Sequence, residues 1–331
     1  MKVKNQLSVL ALVAFLLISE VALSCDLCSI YVGIRPDDYK SSFGMVHRYR
    51  SFAKDFEATV PISTLDKHGA QFSTEPYSLE EVYNSYDLWF KYFVNPRVQI
   101  DASLSFSDNY LGKNDSMTNS ISGPGDLLVL TKYQVYNSKL CNDSSDWVKR
   151  LTVGAGIKLP TGTYNKSYTN YPISSTTKGI TYGDPETILD PHMQAGSGTV
   201  DFILMMEGIL MIHNVGINAN VSYKINTTNK NNFHFANRFN FNPSLFYIQQ
   251  IKDVRLMPTI GAAYERSNRD TDNGQEYFAS GGETLFGNMG LSLFYKKISI
   301  GATYFTPLYE SLYDNQLNNK MRLITELNYY F

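Results

Sequence analysis

Two cysteines three positions apart, Cys25 and Cys28, and a third at Cys141 are the residues of this chain best equipped for chemistry. A Cys-x-x-Cys unit supports a small disulfide, thiol–disulfide exchange or half of a metal site. A complete zinc or copper(I) thiolate site takes three or four ligands, and no histidine or second cysteine pair lies nearby in sequence. A structural disulfide is thus the favoured reading and no cofactor is expected; a metal ion held by Cys25 and Cys28 comes second and redox exchange last. Three thiols leave one over in a single chain. A bridge from Cys25 or Cys28 to Cys141 would close a long loop, worth roughly 4–5 kcal/mol in the chain-entropy picture, so one of the two is expected within bridging distance of Cys141.

Nucleophilic catalysis has little to work with. The five histidines are His47, His68, His192, His213 and His234, and none falls in a recognisable serine–histidine pattern. No Gly-x-Ser-x-Gly elbow occurs. His192 follows Asp190-Pro191 in a long loop, where surface exposure is expected. No catalytic residue is assigned. The formal charge of −2 speaks against a nucleic-acid partner.

The elements that carry these residues start with an export signal. Lys2 and Lys4 precede an apolar stretch from Leu7 to Ile18, and Ala22-Leu23-Ser24 offers small residues for cleavage before Cys25. Residues 1–24 read as a signal peptide and 25–43 as a periplasmic cysteine-bearing segment, a candidate plug. Residues 44–331 read as the barrel described next. A lipid on Cys25 is disfavoured, because Ala22 stands where a lipoprotein carries leucine. After residue 24 the longest apolar run, Phe202 to Ile212, is too short for a transmembrane helix and contains Glu207.

Composition instead suits strands. Aromatic residues make up 14% of the chain, with 24 Tyr and 19 Phe, while mean hydropathy is only −0.23. Barrel strands place apolar residues at every second position and add aromatic girdles at both interfaces. Strand-length segments fall at 44–55, 83–94, 97–107, 126–137, 148–159, 199–212, 215–225, 233–246, 254–265, 286–295, 298–306 and 320–331. In the third, Val98, Ile100, Ala102, Leu104 and Phe106 share one face, and Arg97, Gln99, Asp101, Ser103 and Ser105 the other. Connections after even strands are short and those after odd strands mostly long, which is the sorting of periplasmic turns from external loops. The predicted fold is all-β, a transmembrane antiparallel up-and-down β-barrel of about 12 strands in the outer membrane of a Gram-negative bacterium.

The final strand, ending in Tyr329-Tyr330-Phe331, resembles the closing strand of such barrels. Their C-terminal assembly signal is a terminal aromatic with apolar residues at alternate positions. Tyr329 and Phe331 are thus expected to be read by the barrel-assembly machinery. A second resemblance lies mid-chain: Gly123-Pro-Gly-Asp-Leu127, Gly154 to Tyr164 (GAGIKLPTGTY) and Gln194 to Phe202 (QAGSGTVDF). Together they resemble the outer-membrane family assigned to the meta-pathway of phenol degradation, over roughly residues 120–225. That resemblance implies a transporter-like, porin-like channel for aromatic or other apolar compounds. The glycines and prolines of these motifs also serve turn geometry.

Alternation turns a set of charges inward: Arg48, Arg50, Asp87, Lys91, Arg97, Asp101, Lys132, Arg150, Lys158, Asp201, Glu207, Lys224, Arg238, Arg255, Glu265, Arg322 and Glu326. Mutual pairing within a narrow lumen is the favoured reading, ahead of a basic constriction for anions. Ile203, Met205, Ile209 and Met211 also point inward, which suits an apolar solute. The expected function is passage or binding of a small solute, possible metal handling at Cys25 and Cys28 comes second, and a barrel-embedded lipid hydrolase comes last. Expected partners are outer-membrane lipids, the assembly machinery and the solute itself.

Overall fold

The structure, a computed structural model, describes residues 40–61, 72–114, 116–141, 146–167 and 190–331. The expected signal peptide, the Cys25/Cys28 unit and its bridge to Cys141 lie outside the described residues. Cys141 itself is exposed in the turn after the fourth strand.

Twelve long strands form the wall: β1 Ser42–Pro61, β2 Phe72–Asn95, β3 Val98–Lys113, β4 Ser116–Asn137, β5 Trp147–Leu159, β6 Asp201–Ile212, β7 Val215–Ile225, β8 Arg238–Tyr247, β9 Val254–Ser267, β10 Gly282–Tyr295, β11 Ile298–Leu312 and β12 Asn318–Tyr330. Each pairs antiparallel with its sequence neighbours, and β12 returns to β1 from Tyr330↔Ser42 to Arg322↔Arg50. The sheet therefore closes, and no edge is left for lipid to desolvate.

Period-two alternation decides which face meets lipid. On β6, Phe202, Leu204 and Met206 are 48%, 52% and 45% exposed, whereas Ile203 and Met205 are 2% and 5%. Exposed apolar side chains on an unpaired outer surface of this extent require an apolar solvent. Near the periplasmic rim, Phe43, Phe90, Tyr329 and Phe331 form one aromatic group, with Phe43–Tyr329 ring centroids 5.5 Å and Phe90–Phe331 6.3 Å apart. Such rings sit at the headgroup level, where one end is apolar and the other wet.

The strands run further than alternation foretold. β1 reaches Pro61 and β2 starts at Phe72, paired throughout from Ser42↔Lys91 to Pro61↔Phe72. β3 and β4 likewise extend to Lys113↔Ser116. The spans expected as loops at 56–82 and 108–125 are thus mostly ladder rising above the membrane. No apolar alternation marks these extensions in the sequence, and the backbone ladder defines them. Conversely, the eighth strand starts at Arg238 and not at 233, because Phe233–His234 joins Thr271–Asp272 and Gln275–Glu276 in a small separate sheet. Asn226 holds the intervening backbone aside: its side-chain amide donates to the Ala236 carbonyl at 2.5 Å and its backbone N–H to Asn237 Oδ1 at 2.9 Å.

Candidate functional site

Of the seventeen charges expected inward, Arg97 lies in the turn before β3, and the others stand at strand positions whose parity is that of the lumen face. Arg48 is ion-paired with the fully buried Asp87, and Lys132 Nζ lies 2.7 Å from Asp101. Lys158 is held between Asp126 at 3.0 Å and Asp201 at 2.6 Å, and Lys224 meets the same Asp201 at 3.1 Å. Arg322 Nη1 is 2.6 Å from Glu265 and its guanidinium lies 3.8 Å from the Phe286 ring centroid. Lys91 stacks over Phe93 and Arg238 over Phe235. Arg50, Arg97, Arg150, Glu207, Arg255 and Glu326 are only half-buried. Removing such charges from water is costly unless they pair, and here the acids Asp87, Asp101, Asp201 and Glu265 each meet a base, within a set of eleven bases and six acids.

Three sequence motifs meet at Asp126. Its Oδ1 accepts the Gly162 N–H at 3.0 Å, and its Oδ2 accepts the Ser197 N–H at 2.9 Å and the Ser197 hydroxyl at 2.7 Å. The backbone adds Thr163 N–H to the Pro124 carbonyl (3.0 Å) and Gly196 N–H to the Thr163 carbonyl (2.8 Å). Gly162 and Gly196 touch through their backbones: a Cβ on Gly196 would stand 2.7 Å from the Gly162 carbonyl carbon. Only glycine fits that approach. The knot ties GPGDL, LPTG and QAGSG together and sends the segment Asp190–Val200 into the lumen. There Asn109 of β3 donates its amide to the Met193 carbonyl at 3.1 Å, and Met193, Ser197 and Thr199 are buried.

His192, expected at the surface, is instead bound inside this segment. Its Nδ1 lies 2.7 Å from Asp190 and its Nε2 2.6 Å from Asp270, a residue of the 268–281 connection. Phe233, Phe235 and Tyr277 surround the ring with centroids 5.7–5.9 Å away. The Tyr277 hydroxyl donates to Asp190 at 3.0 Å, and Asp270 accepts the Ala236 N–H at 2.7 Å. Three external connections are thereby latched on one imidazole. Burial on its own would push the imidazole pKa down, but Asp190 and Asp270 outweigh it and hold it well above the ordinary histidine range. Burial likewise opposes ionisation of Asp190, yet the His192 cation and two hydrogen bonds from that residue bring it down to about 2. Asp270 is lowered on the same grounds. Sequence reading missed this cluster because its members lie up to 87 residues apart; only the Asp190-x-His192 spacing is visible locally.

The other histidines serve different places. His47 faces outward, stacked on Tyr86 at 4.7 Å, His213 occupies a periplasmic turn, and His234 belongs to the small sheet.

The segment bearing His192 divides the lumen. On the external side lies a cavity of about 420 Å³, bordered by Phe52, Phe56, Tyr83, Phe235, Tyr277 and Phe278 with Arg50 and Arg238. On the β3–β5 side lies one of about 130 Å³, bordered by Ser103, Ser105, Asp126, Lys158 and Ile203. Below them the barrel interior is apolar in patches. Val46, Ala263, Phe286, Phe305 and Ile324 pack together with Trp89, and Leu130, Ile203 and Met205 form a second group. At the periplasmic ends of five strands, Ile209, Phe246, Met257, Phe294 and Tyr330 meet across the mouth.

A family model described as "Putative MetA-pathway of phenol degradation" matches residues 64–196, a span that contains the first two motifs and reaches Gly196 of the third. Among solved structures, an outer membrane channel from Pseudomonas putida F1 is 13% identical with a TM-score of 0.58, covering 90% of this chain and 100% of its own. A FadL homologue from Pseudomonas aeruginosa is 9% identical with a TM-score of 0.40, over 88% and 90% of the two chains. The β domain of the Bordetella autotransporter BrkA is 10% identical with a TM-score of 0.46, over 89% and 100%. No curated protein matches the chain in sequence. The fold is that of an outer-membrane β-barrel of twelve strands, and the resemblance to the phenol-degradation family holds over the matched residues.

Proposed function

We propose that this barrel is an outer-membrane channel that admits a small apolar or aromatic solute and carries out no chemistry on it. The observation that carries this reading is the lining of the lumen. A water-filled pore is polar throughout; here a cavity of about 420 Å³ sets six aromatic side chains beside its charged ones, and apolar clusters lie further along the interior as far as the periplasmic mouth. That volume suits one or two fused rings, and the buried carboxylates nearby are already paired with bases. The P. putida structure of the same fold is itself described as a channel. His192 argues against a hydrolase: both ring nitrogens are engaged by carboxylates, so the imidazole is held protonated and has no lone pair for a general base.

The test is reconstitution in liposomes, with potassium chloride conductance and naphthalene uptake measured side by side. Uptake well above protein-free liposomes, with small conductance, is expected. Fast passage of hydrophilic sugars without naphthalene uptake would overturn the reading. Metal content after purification tests the second function, metal handling at Cys25 and Cys28; among the described residues no group of three His, Cys, Asp or Glu side chains is arranged to hold an ion. Lipids surround the barrel, and the assembly machinery is proposed to read Tyr329 and Phe331.

A further inference from the structure

The periplasmic turns carry their charge unevenly. Among the described residues they hold Arg97, Lys139, Lys252, Lys296 and Lys297 against two acids, Asp146 and Asp253. Three of the five bases stand together. Val254 of β9 pairs with Tyr295 of β10, so the Lys252-Asp253 corner and the Lys296-Lys297 corner lie side by side. All three lysines are exposed. Two of them occupy backbone that suits them badly. Lys252 and Lys296 have φ of 53° and 51°, the left-handed region that glycine enters freely and a long side chain does not. Turn geometry alone favours glycine or asparagine at such corners. Strain kept at an exposed turn points to a use for the side chain.

The direction of the lysines narrows that use. Lys296 Nζ lies 5.1 Å from the centre of the Tyr295 ring, and Lys297 Nζ 5.8 Å from that of Tyr329. Both rings are on the lipid face, 46% and 38% exposed. The side chains therefore fold back over the outside of the wall, with their ammonium groups at the edge of the aromatic belt. The register extends this belt sideways. Tyr295 pairs with Ile298, Ile298 with Tyr329, and Tyr329 with Phe43. Four adjacent strands thus present one row of lipid-facing apolar side chains, with two ammonium groups along its periplasmic edge. At ~4.8 Å between strands the two tyrosines stand about 10 Å apart, close to the footprint of one phospholipid.

We propose that this row and its lysine edge form a binding site for an anionic phospholipid of the inner leaflet, with acyl chains on Tyr295, Ile298, Tyr329 and Phe43 and the phosphate against Lys296 and Lys297. Lys252 adds a third cation beside them. A zwitterionic lipid brings an ammonium group of its own next to its phosphate, so the lysines favour a headgroup without one. Basic residues at a membrane surface attract anionic lipid, and the attraction strengthens where aromatic rings displace water around the charge. The row crosses from β12 to β1, so a lipid seated on it also splints the strand pair that closes the barrel.

The experiment is native mass spectrometry of the full-length protein, released from detergent micelles loaded with equal amounts of phosphatidylglycerol and phosphatidylcholine. The parent should retain phosphatidylglycerol severalfold more than phosphatidylcholine, in excess inorganic phosphate as well as without it. K296Q/K297Q should lose that preference, whereas K139Q, in the turn between β4 and β5 across the barrel, should keep it. K296G relieves the strained corner and so separates folding from binding. It should resist heat at least as well as the parent in phosphatidylcholine vesicles and still retain less phosphatidylglycerol. Equal retention of the two lipids by the parent, or the same preference in K296Q/K297Q, would overturn the proposal. So would displacement of the lipid by inorganic phosphate, a less heat-resistant K296G, or lysine-dependent binding of purified peptidoglycan with no lipid preference.

Discussion

The imidazole Nε2 of His192 and a carboxylate oxygen of Asp270 lie 2.6 Å apart, joining two external connections 78 residues distant in sequence. Asp190 grips the other ring nitrogen, so the bond is one between a cation and two anions rather than a neutral contact. This is the fastening of the partition between the two cavities. His192→Ala removes it and leaves Asp190 and Asp270 facing each other. Single-channel recordings of that variant should show larger and noisier conductance than the parent, while the barrel keeps its heat-modifiable migration on gels. Unchanged conductance would mean that the segment is held by the Asp126 knot alone.

The same fastening sets a pH dependence. The folded pKa of His192 is raised, so its contribution is complete below the ordinary histidine value of ~6.5 and is lost only as pH climbs through the higher folded value. Asp190 is lowered to about 2, so its contribution is present above its ordinary value of ~3.9 and disappears as pH falls towards 2. Conductance should therefore be flat from about pH 4 to 7 and rise on either side of that window. A step near pH 6.5 in the parent would contradict the double carboxylate clasp. His192→Gln should abolish the alkaline limb.

Lys158 neutralises two buried carboxylates, those of Asp126 and Asp201. Lys158→Met leaves Asp126 without its cation, while Asp201 retains Lys224. Removing one partner from a buried pair typically costs about 3–5 kcal/mol, and the midpoint temperature of heat-modifiability should drop accordingly. Lys158→Met combined with Asp126→Asn should recover part of the loss, because the orphaned charge is gone.

Gly196→Ala would push a methyl group into the Gly162 backbone. Overpacking of this kind costs about 1–3 kcal/mol, and the strain falls on the segment rather than on the wall. Increased protease access at residues 190–200, with far-ultraviolet circular dichroism unaltered, is the expected reading.

Leu204 and Met205 are neighbours with opposite surroundings, the first facing lipid and the second buried in the lumen. Leu204→Arg places a charge on the lipid face at a depth where that costs roughly 2–4 kcal/mol. Denaturant unfolding in detergent-free bilayers should register that loss in full, whereas Leu204→Phe should leave stability within experimental error.

The wall was legible wherever one face met lipid. β3, β5 and β7 alternate cleanly; β5 and β7 lie within a residue of their expected spans, and β3 starts within one residue of its own. Legibility ended where apolar alternation stops: nothing in Ser116–Ser122 announces a ladder, because backbone pairing leaves no trace in side-chain type. The inward charges followed from the same alternation, since parity fixes direction once the strand is placed. The partition was hidden for a different reason. The Asp190–His192–Asp270–Tyr277 cluster is a tertiary event among loops, and loops obey no period. Its glycine-rich anchors were visible as motifs, and their meeting at Asp126 was not.

The pairing of β12 with β1 has a kinetic consequence. Tyr330 and Ser42 are adjacent in the ladder though about 290 residues apart in the chain. Every other wall contact joins sequence neighbours and can form as the chain emerges, but this one waits for the last strand. Until then β1 offers an open edge, with the amides that do not face β2 ready for any other strand in reach. Assembly is thus governed by a race between the arrival of β12 and capture of β1 by a stranger. Substitutions that slow β12 should lower the yield of inserted protein without altering the behaviour of the molecules that succeed.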